Sequence, residues 1–90
     1  MRAARACLLV PHRKRSPHGT LAEERRLLLA ARVRAARTAA NLTQDQLAGA
    51  ARLGRAQVQR IERAEANPTL ATLYAVAGAL NVSVVDLLAE

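Results

Sequence analysis

The feature of this sequence that most restricts its fold is a pair of short helical segments joined by a three-residue turn. Residues 43–46, Thr-Gln-Asp-Gln, have the pattern of a capping box, in which the first and fourth side chains bond the free amides at a helix start. Apolar residues follow at helical spacing up to residue 51, and GRAQVQRIER fills residues 54–63. The small Ala48 stands where the two helices must approach closely. This arrangement is typical of a helix-turn-helix.

The second segment has two very different sides. Val58, Ile61 and Glu62 share one side of a helical wheel. The other side and its edges carry Arg55, Ala56, Gln57, Gln59, Arg60 and Arg63. Three arginines and two glutamines around only two large apolar residues indicate one of two things. The face is either ordinarily solvated, or it lies against a negatively charged partner.

Further start and stop signals predict a helix before this pair. Thr20-x-x-Glu23 is another capping box, so we expect ordered structure to begin at Thr20. An apolar stripe follows at residues 29, 33, 36 and 40. Asn41 then suits the left-handed conformation that ends a helix.

Two more helices are predicted after the pair. Thr69 caps a fourth helix that ends at Asn81, and Ser83-x-x-Asp86 starts a fifth. The fourth helix carries Leu70, Leu73, Val76, Ala77 and Leu80, and the fifth carries Val84, Leu87 and Leu88.

Composition agrees with a helical fold. Hydrophobic residues make up 51% of the 90, but there is one Tyr and no Phe or Trp, and 21 residues are alanine. This mixture favours helix over sheet. We therefore predict an all-α protein, a compact five-helix domain over residues 20–90. A core of this size is small, so association with a second copy would stabilise it.

Residues 1–19 are predicted to be a flexible basic arm. Pro11, Pro17 and Gly19 interrupt it, and HRKRSPH is basic without periodicity. The arm is either a solvated tail or a contact to a DNA backbone. Its His12 and His18 lack nearby Cys or carboxylates, so we expect neither a metal nor a cofactor. No constellation of catalytic side chains accompanies them, and the sequence does not indicate an enzyme.

The net charge of +7 lies almost entirely in the first half of the chain. Residues 1–40 hold ten Arg and Lys against two Glu, whereas residues 41–90 hold four Arg against five acids. Such an excess indicates an anionic partner, either nucleic acid or acidic lipid. Single strands are usually gripped by stacked aromatic rings, and Tyr74 is the only aromatic residue here. Double-stranded DNA is therefore the favoured partner.

The sequence also indicates a compartment. A lone cysteine, Cys7, cannot form an internal disulfide and favours a reducing environment. No apolar run approaches the length of a membrane span, and the four apolar residues at 7–10 make a poor signal peptide. We expect a cytoplasmic protein.

The chain resembles the Xre/lambda-repressor-like helix-turn-helix proteins, the group of Cro and the phage repressors. The matching segments are RVRAARTAANLTQDQLA, RAQVQRIER and NPTLATLYAVAGALNVSVVDLL, in this order and without gaps between residues 29 and 88. The resemblance implies a third helix that enters the major groove and a repressor of transcription. It also implies a phosphate contact at Gln44, and contacts to bases or nearby backbone at Arg55, Ala56, Gln57, Gln59 and Arg60.

Three positions depart from the pattern of this family. Arg52 replaces the glycine of the turn, where a left-handed conformation costs a non-glycine residue about 1 kcal/mol, and it adds a charge beside the groove. Gly54 replaces a serine or threonine cap. Ala64 stands where a glycine normally ends the third helix, so we expect that helix to continue for one more turn.

A structural ion pair is expected between Arg37 and Glu62. Each lies four residues after an apolar core position, Val33 and Val58, so each charge is close to the core and needs a partner. Members of the family commonly pair these two positions, and the resemblance therefore implies the same contact.

The sequence leaves alternatives open. The favoured one is a homodimeric repressor bound to an inverted-repeat operator, with Val82, Val84, Val85 and Leu88 in the dimer contact. The second is an antitoxin-type regulator that also binds a protein partner such as a toxin. The third is an interaction module, or a membrane-surface peptide, that uses the basic first helix with its leucines at 27–29.

Overall fold

The computed structural model describes residues 22–89, and these residues form five helices and no strand. The helices are α1 (Glu23–Ala39), α2 (Gln44–Ala51), α3 (Arg55–Glu62), α4 (Leu70–Leu80) and α5 (Val84–Leu88). The all-α, five-helix expectation is confirmed for this range. The predicted basic arm, with Thr20, lies outside the described residues.

Three of the helices begin at hydroxyl caps. Thr43 Oγ1 accepts a hydrogen bond from the Gln46 amide at 3.0 Å, and Gln46 Oε1 accepts one from the Thr43 amide at 2.9 Å. Thr69 accepts from the amide three residues later at 3.1 Å, and Ser83 does the same in a second complete capping box. Each cap contributes about 1 kcal/mol. The predicted starts of α2, α4 and α5 are therefore confirmed.

The start of α1 differs from the expectation. Ala22 has extended backbone and occupies the cap position, so the helix begins at Glu23 rather than just after Thr20. Alanine has no side chain that can cap the free amides. The two acids of the first turn, Glu23 and Glu24, instead place negative charge at the positive end of the helix dipole.

Four non-glycine residues adopt left-handed backbone at helix ends. Asn41 (φ 59°) and Asn81 (φ 60°) do so as predicted. Arg52 (φ 60°) takes the conformation of the glycine that it replaces. Its neighbour Leu53 donates its amide to the Ala48 carbonyl at 2.8 Å, which closes the end of α2.

Ala64 corrects the prediction for the end of α3. The helix does not continue past it, because α3 ends at Glu62 and Ala64 is left-handed, with φ 62°. Two arginines of α1 hold this turn. Arg26 Nε donates to the Ala64 carbonyl at 3.3 Å, and Arg34 Nη1 donates to the Glu62 carbonyl at 2.6 Å. These hydrogen bonds offset the strain of a left-handed alanine, roughly 1 kcal/mol.

The core is aliphatic, and all five helices contribute side chains to it. It contains Leu29, Val33, Leu47, Ala48, Val58, Ile61, Leu73, Val76, Ala77, Leu80 and Leu87. Three residues predicted on apolar stripes are exposed: Leu70 at the first position of α4, Ala40 just after the end of α1, and Leu88 at the end of α5. Ala48 is buried where α2 and α3 meet, and its small side chain lets the two helices approach.

Candidate nucleic-acid interface

Helix α3 buries one side and exposes the other. Val58, Ile61 and Glu62 are buried, so this side fixes the helix to the rest of the domain. The exposed residues of α3 and its C-terminal cap are Arg55, Ala56, Gln57, Arg60 and Arg63, whereas Gln59 is half-buried at the edge. The outer side therefore presents guanidinium and amide groups on a rigid support.

The N-terminus of α3 is closed by Gln57. Gly54 has no side chain to cap the helix, but its amide donates to Gln57 Oε1 at 3.2 Å. The amide oxygen of Gln57 is thus engaged within the protein, while its NH₂ group keeps two donors. This back-contact was not foreseen, although a Gln three residues after a cap position is the sequence signal for it.

A buried carboxylate links α1 to α3. Glu62 is 4% exposed, and Arg37 grips it at two points, with Nε 2.7 Å from Oε2 and Nη2 3.1 Å from Oε1. The third arm of the guanidinium, Nη1, donates to the Leu42 carbonyl at 2.9 Å. The hydrogen bonds that Arg37 donates to the Glu62 carboxylate raise the pKa of Arg37 above its ordinary value, against the opposing effect of burial. Arg37 and Glu62, which the sequence predicts to pair, are therefore in contact.

The same carboxylate also holds Gln44. This residue is the first of α2, and its Nε2 donates to Glu62 Oε1 at 3.0 Å. A primary amide has a second N–H, which remains for another acceptor. Sequence reasoning placed Gln44 at a phosphate but missed that Glu62 orients it, because the two are 18 residues apart and on different helices.

The exposed charges around α3 are mostly positive. Arg52 lies in the turn before it and is exposed, as are Arg55, Arg60 and Arg63. Two exposed acids lie among them: Glu65, just after α3, and Asp45 in α2, whose Oδ1 lies 3.3 Å from Arg55 Nε. This pair was not predicted, because it joins the first turns of two different helices and no local spacing rule reveals it.

A cleft of about 170 Å³ flanks α3 on the side of the segment that leads to α4. It is lined by Gln57, Arg60, Ile61, Ala66, Asn67, Pro68, Thr69 and Thr72. Its polar groups are amides, hydroxyls and one guanidinium, a set that offers hydrogen bonds to an anionic backbone but no nucleophile with an adjacent base.

Residues 22–89 contain neither a cluster of metal ligands nor a membrane-spanning helix. No group of three or more His, Cys, Asp or Glu side chains lies close enough together to hold a metal ion. No helix in that range has the length and apolar character needed to cross a membrane.

Comparison with known proteins places most of this chain in one kind of domain. The family HTH_3, described as helix-turn-helix, matches residues 33–87. The immunity repressor protein of Bacillus phage phi105 is 48% identical over 59 residues, which are 66% of this chain but only 41% of the repressor. This chain thus spans less than half of that relative. Control protein C.SmaI of Serratia marcescens is 48% identical over 61 residues, 68% of this chain and 73% of the control protein.

Solved structures match at the level of the whole domain. The restriction-modification controller protein C.AhdI from Aeromonas hydrophila superposes with a TM-score of 0.68 at 32% identity, over 69% of this chain and 94% of that one. The clp gene regulator ClgR from Corynebacterium glutamicum gives 0.67 at 32% identity, over 70% of this chain and 67% of its own. These four proteins are named as repressors, regulators or controllers and not as enzymes, which agrees with the expectation from the sequence.

Proposed function

The chain belongs to the HTH_3 helix-turn-helix family, as its resemblance to the lambda-repressor group predicts, and we propose that it is a repressor of transcription that recognises a specific duplex DNA sequence. In this proposal α3 lies in the major groove and the protein represses by occupying DNA that the transcription machinery needs. Acting on cellular DNA would place it in the cytoplasm, the compartment that its single cysteine also favours.

The observation that carries the proposal is the two-sided structure of α3. A major groove admits an α-helix, and base edges are read by donors and acceptors on its outer side. Arg55 and Arg60 are exposed there and have the two N–H donors that guanine O6 and N7 accept. Gln59 has the amide that pairs with adenine, Gln57 keeps its NH₂ donors for a base acceptor, and the Ala56 methyl suits thymine. The buried side keeps these groups from moving relative to the domain.

The first residue of α2 and the turn after that helix supply the contacts to the DNA backbone. Gln44 lies at the N-terminus of α2, where free amides and the helix dipole favour a phosphate. Glu62 holds one N–H of its side chain, so the other is available at a fixed place. Arg52 is exposed in the turn between α2 and α3 and adds a positive charge beside the DNA backbone. We infer that these two residues set the register of α3 on the duplex.

Selection from a random pool of duplexes at a fixed salt concentration tests the proposal. The protein is expected to enrich one motif, and the enriched duplex should bind about 10³-fold or more tightly than random DNA. Recovery of unenriched DNA, with equal affinity for every duplex, would contradict sequence-specific recognition and leave only an electrostatic interaction.

We also propose that the protein binds as a homodimer. The predicted contact residues divide in two: Val82 and Val84 pack against the core, while Val85 and Leu88 are 73% and 42% exposed. The exposed pair on α5 is apolar surface that a second copy would cover. Paired recognition helices then reach half-sites roughly 34–36 Å apart, and the motif is an inverted repeat. A sedimentation mass of one chain, both free and on the enriched duplex, would reject the dimer.

A protein partner such as a toxin is the second candidate. Leu70 and Tyr74 lie one turn apart on α4 and are 61% and 62% exposed, which gives a partner an apolar contact on that helix. The membrane-surface alternative loses its main support. Of the three leucines at 27–29 only Leu27 is exposed, so the run mostly faces the core.

A further inference from the structure

An ion pair joins the first turns of α2 and α3. Asp45, the second residue of α2, lies with Oδ1 3.3 Å from Nε of Arg55, the first residue of α3. The side chains of the two residues are 65% and 62% exposed. The exposed pair contributes little to folding stability. An acid in the first turn of α2 is also stabilised by the helix dipole, but that effect does not depend on contact with Arg55.

For a protein that binds DNA, a carboxylate here is unfavourable on its own. Residues 44–62 contain two acids, and Glu62 is buried and bound by Arg37. Asp45 is therefore the exposed negative charge of this segment, directly beside Gln44. It repels any phosphate that approaches the start of α2, whatever the DNA sequence.

The geometry of the ion pair leaves part of the Arg55 guanidinium available to DNA. The contact is made at Nε, which leaves the edge formed by Nη1 and Nη2 for the two acceptors of a guanine. A free arginine side chain loses rotamer freedom when it docks on a base. A carboxylate that holds Nε reduces that loss and aims the guanidinium edge before the DNA arrives.

We propose that Asp45 is a specificity-determining residue that acts through Arg55. On a matching site it positions Arg55 for guanine, and the guanine contact outweighs the repulsion from nearby phosphates. On other DNA the repulsion stays and no base contact offsets it, so binding is weakened. The inference rests on the proposed function, in which Arg55 reads a base.

The test measures affinity at one salt concentration for the enriched duplex, for a series in which each guanine of that duplex is replaced in turn, and for random DNA. The variants are Asp45→Asn, Asp45→Ala, Arg55→Ala and the Asp45→Ala/Arg55→Ala double variant. Glu65→Gln is the matched control, because it removes one exposed negative charge from the segment after α3. Thermal melting of each variant verifies that it folds.

Both Asp45 variants are expected to bind random DNA more tightly than the parent. The ratio of specific to random affinity should fall by about two- to fivefold, which corresponds to the free energy of an exposed ion pair. The Asp45 variants should lose the preference for guanine at the same position of the duplex at which Arg55→Ala loses it. Glu65→Gln should raise the affinity for all duplexes alike. In the Arg55→Ala background, adding Asp45→Ala should not lower the ratio of specific to random affinity any further.

Two other outcomes separate the inference from the function on which it rests. The inference is wrong if Arg55→Ala loses the guanine preference while the Asp45 variants keep it. It is also wrong if the Asp45 variants behave like Glu65→Gln, since Asp45 is then only a local charge. If the parent protein itself shows no preference among duplexes, the proposed function has failed first.

Discussion

Arg37 of α1 and Glu62 of α3 form a two-point ion pair at 2.7 and 3.1 Å, with the carboxylate almost wholly buried. Gln44 of α2 donates to the same carboxylate, so one side chain fixes the relative position of the first three helices. The elements proposed to bind DNA are therefore held to one another through Glu62.

Removing Glu62 should destabilise the domain strongly. Glu62→Ala leaves Arg37 partly buried without its partner and Gln44 without its acceptor, and breaking a buried pair costs about 3–5 kcal/mol. For a domain of this size each kcal/mol lowers the melting temperature by about 4–8 °C. Thermal unfolding followed by circular dichroism measures the shift.

Glu65→Ala is the control for this experiment, because Glu65 is exposed in the segment after α3. It should melt close to the parent. A Glu62→Ala protein that melts within a degree or two of the parent would show that the pair contributes nothing to the folded state.

Ala64→Gly should stabilise the protein. Ala64 has φ 62°, and a glycine has no Cβ to strain there, so the gain is about 1 kcal/mol. Ala35→Gly is the opposite control: it lies exposed within α1 and should lose about 0.5–1 kcal/mol. Urea unfolding gives both values, and a loss of stability in Ala64→Gly would show that the turn after α3 is not left-handed.

Gln44→Ala should weaken binding to specific and random duplexes to the same extent. A phosphate contact carries no sequence information, and because the Gln44 amide is uncharged, its loss should leave the slope of log affinity against log salt nearly unchanged. Titration of both duplexes at several salt concentrations measures this. Unchanged affinity for both duplexes would mean that the second N–H of Gln44 does not meet DNA.

Deleting residues 2–15 should also weaken binding to specific and random duplexes to the same extent, and by more than Gln44→Ala. This segment carries five positive charges, and its sequence predicts no regular structure that would hold them against base edges, so we expect contacts to phosphates only. All duplexes should lose affinity alike, and the salt slope should flatten by about 0.9 for each phosphate contact removed. A deletion that changed the enriched motif would give the segment a role in recognition, which contradicts this expectation.

Most of the fold was predictable because its determinants are local. Thr43, Thr69 and Ser83 start helices through bonds to amides three residues away, and the two asparagines end helices through their own backbone preference. Each of these signals lies within about four residues, so it can be recognised in the sequence without knowledge of the tertiary structure.

The features that escaped prediction depend on distant residues. The end of α3 is set partly by Arg26 and Arg34, which lie 38 and 28 residues earlier than the carbonyls that they bind. The contact of Asp45 with Arg55 likewise needs the angle between α2 and α3, which no periodicity encodes. Leu70 fits the apolar pattern of α4 but lies at the first turn, beyond the reach of the core.

The central claim, that α3 reads bases, is tested most directly by Arg55→Ala on the enriched duplex and on random DNA. Arg63→Ala is the matched control, since Arg63 is equally charged and exposed but caps the far end of the helix. A guanine contact predicts a loss of about 1–3 kcal/mol on the enriched duplex for Arg55→Ala and a much smaller loss on random DNA. Equal losses on both duplexes would show that Arg55 acts only as a charge and would contradict base reading by α3.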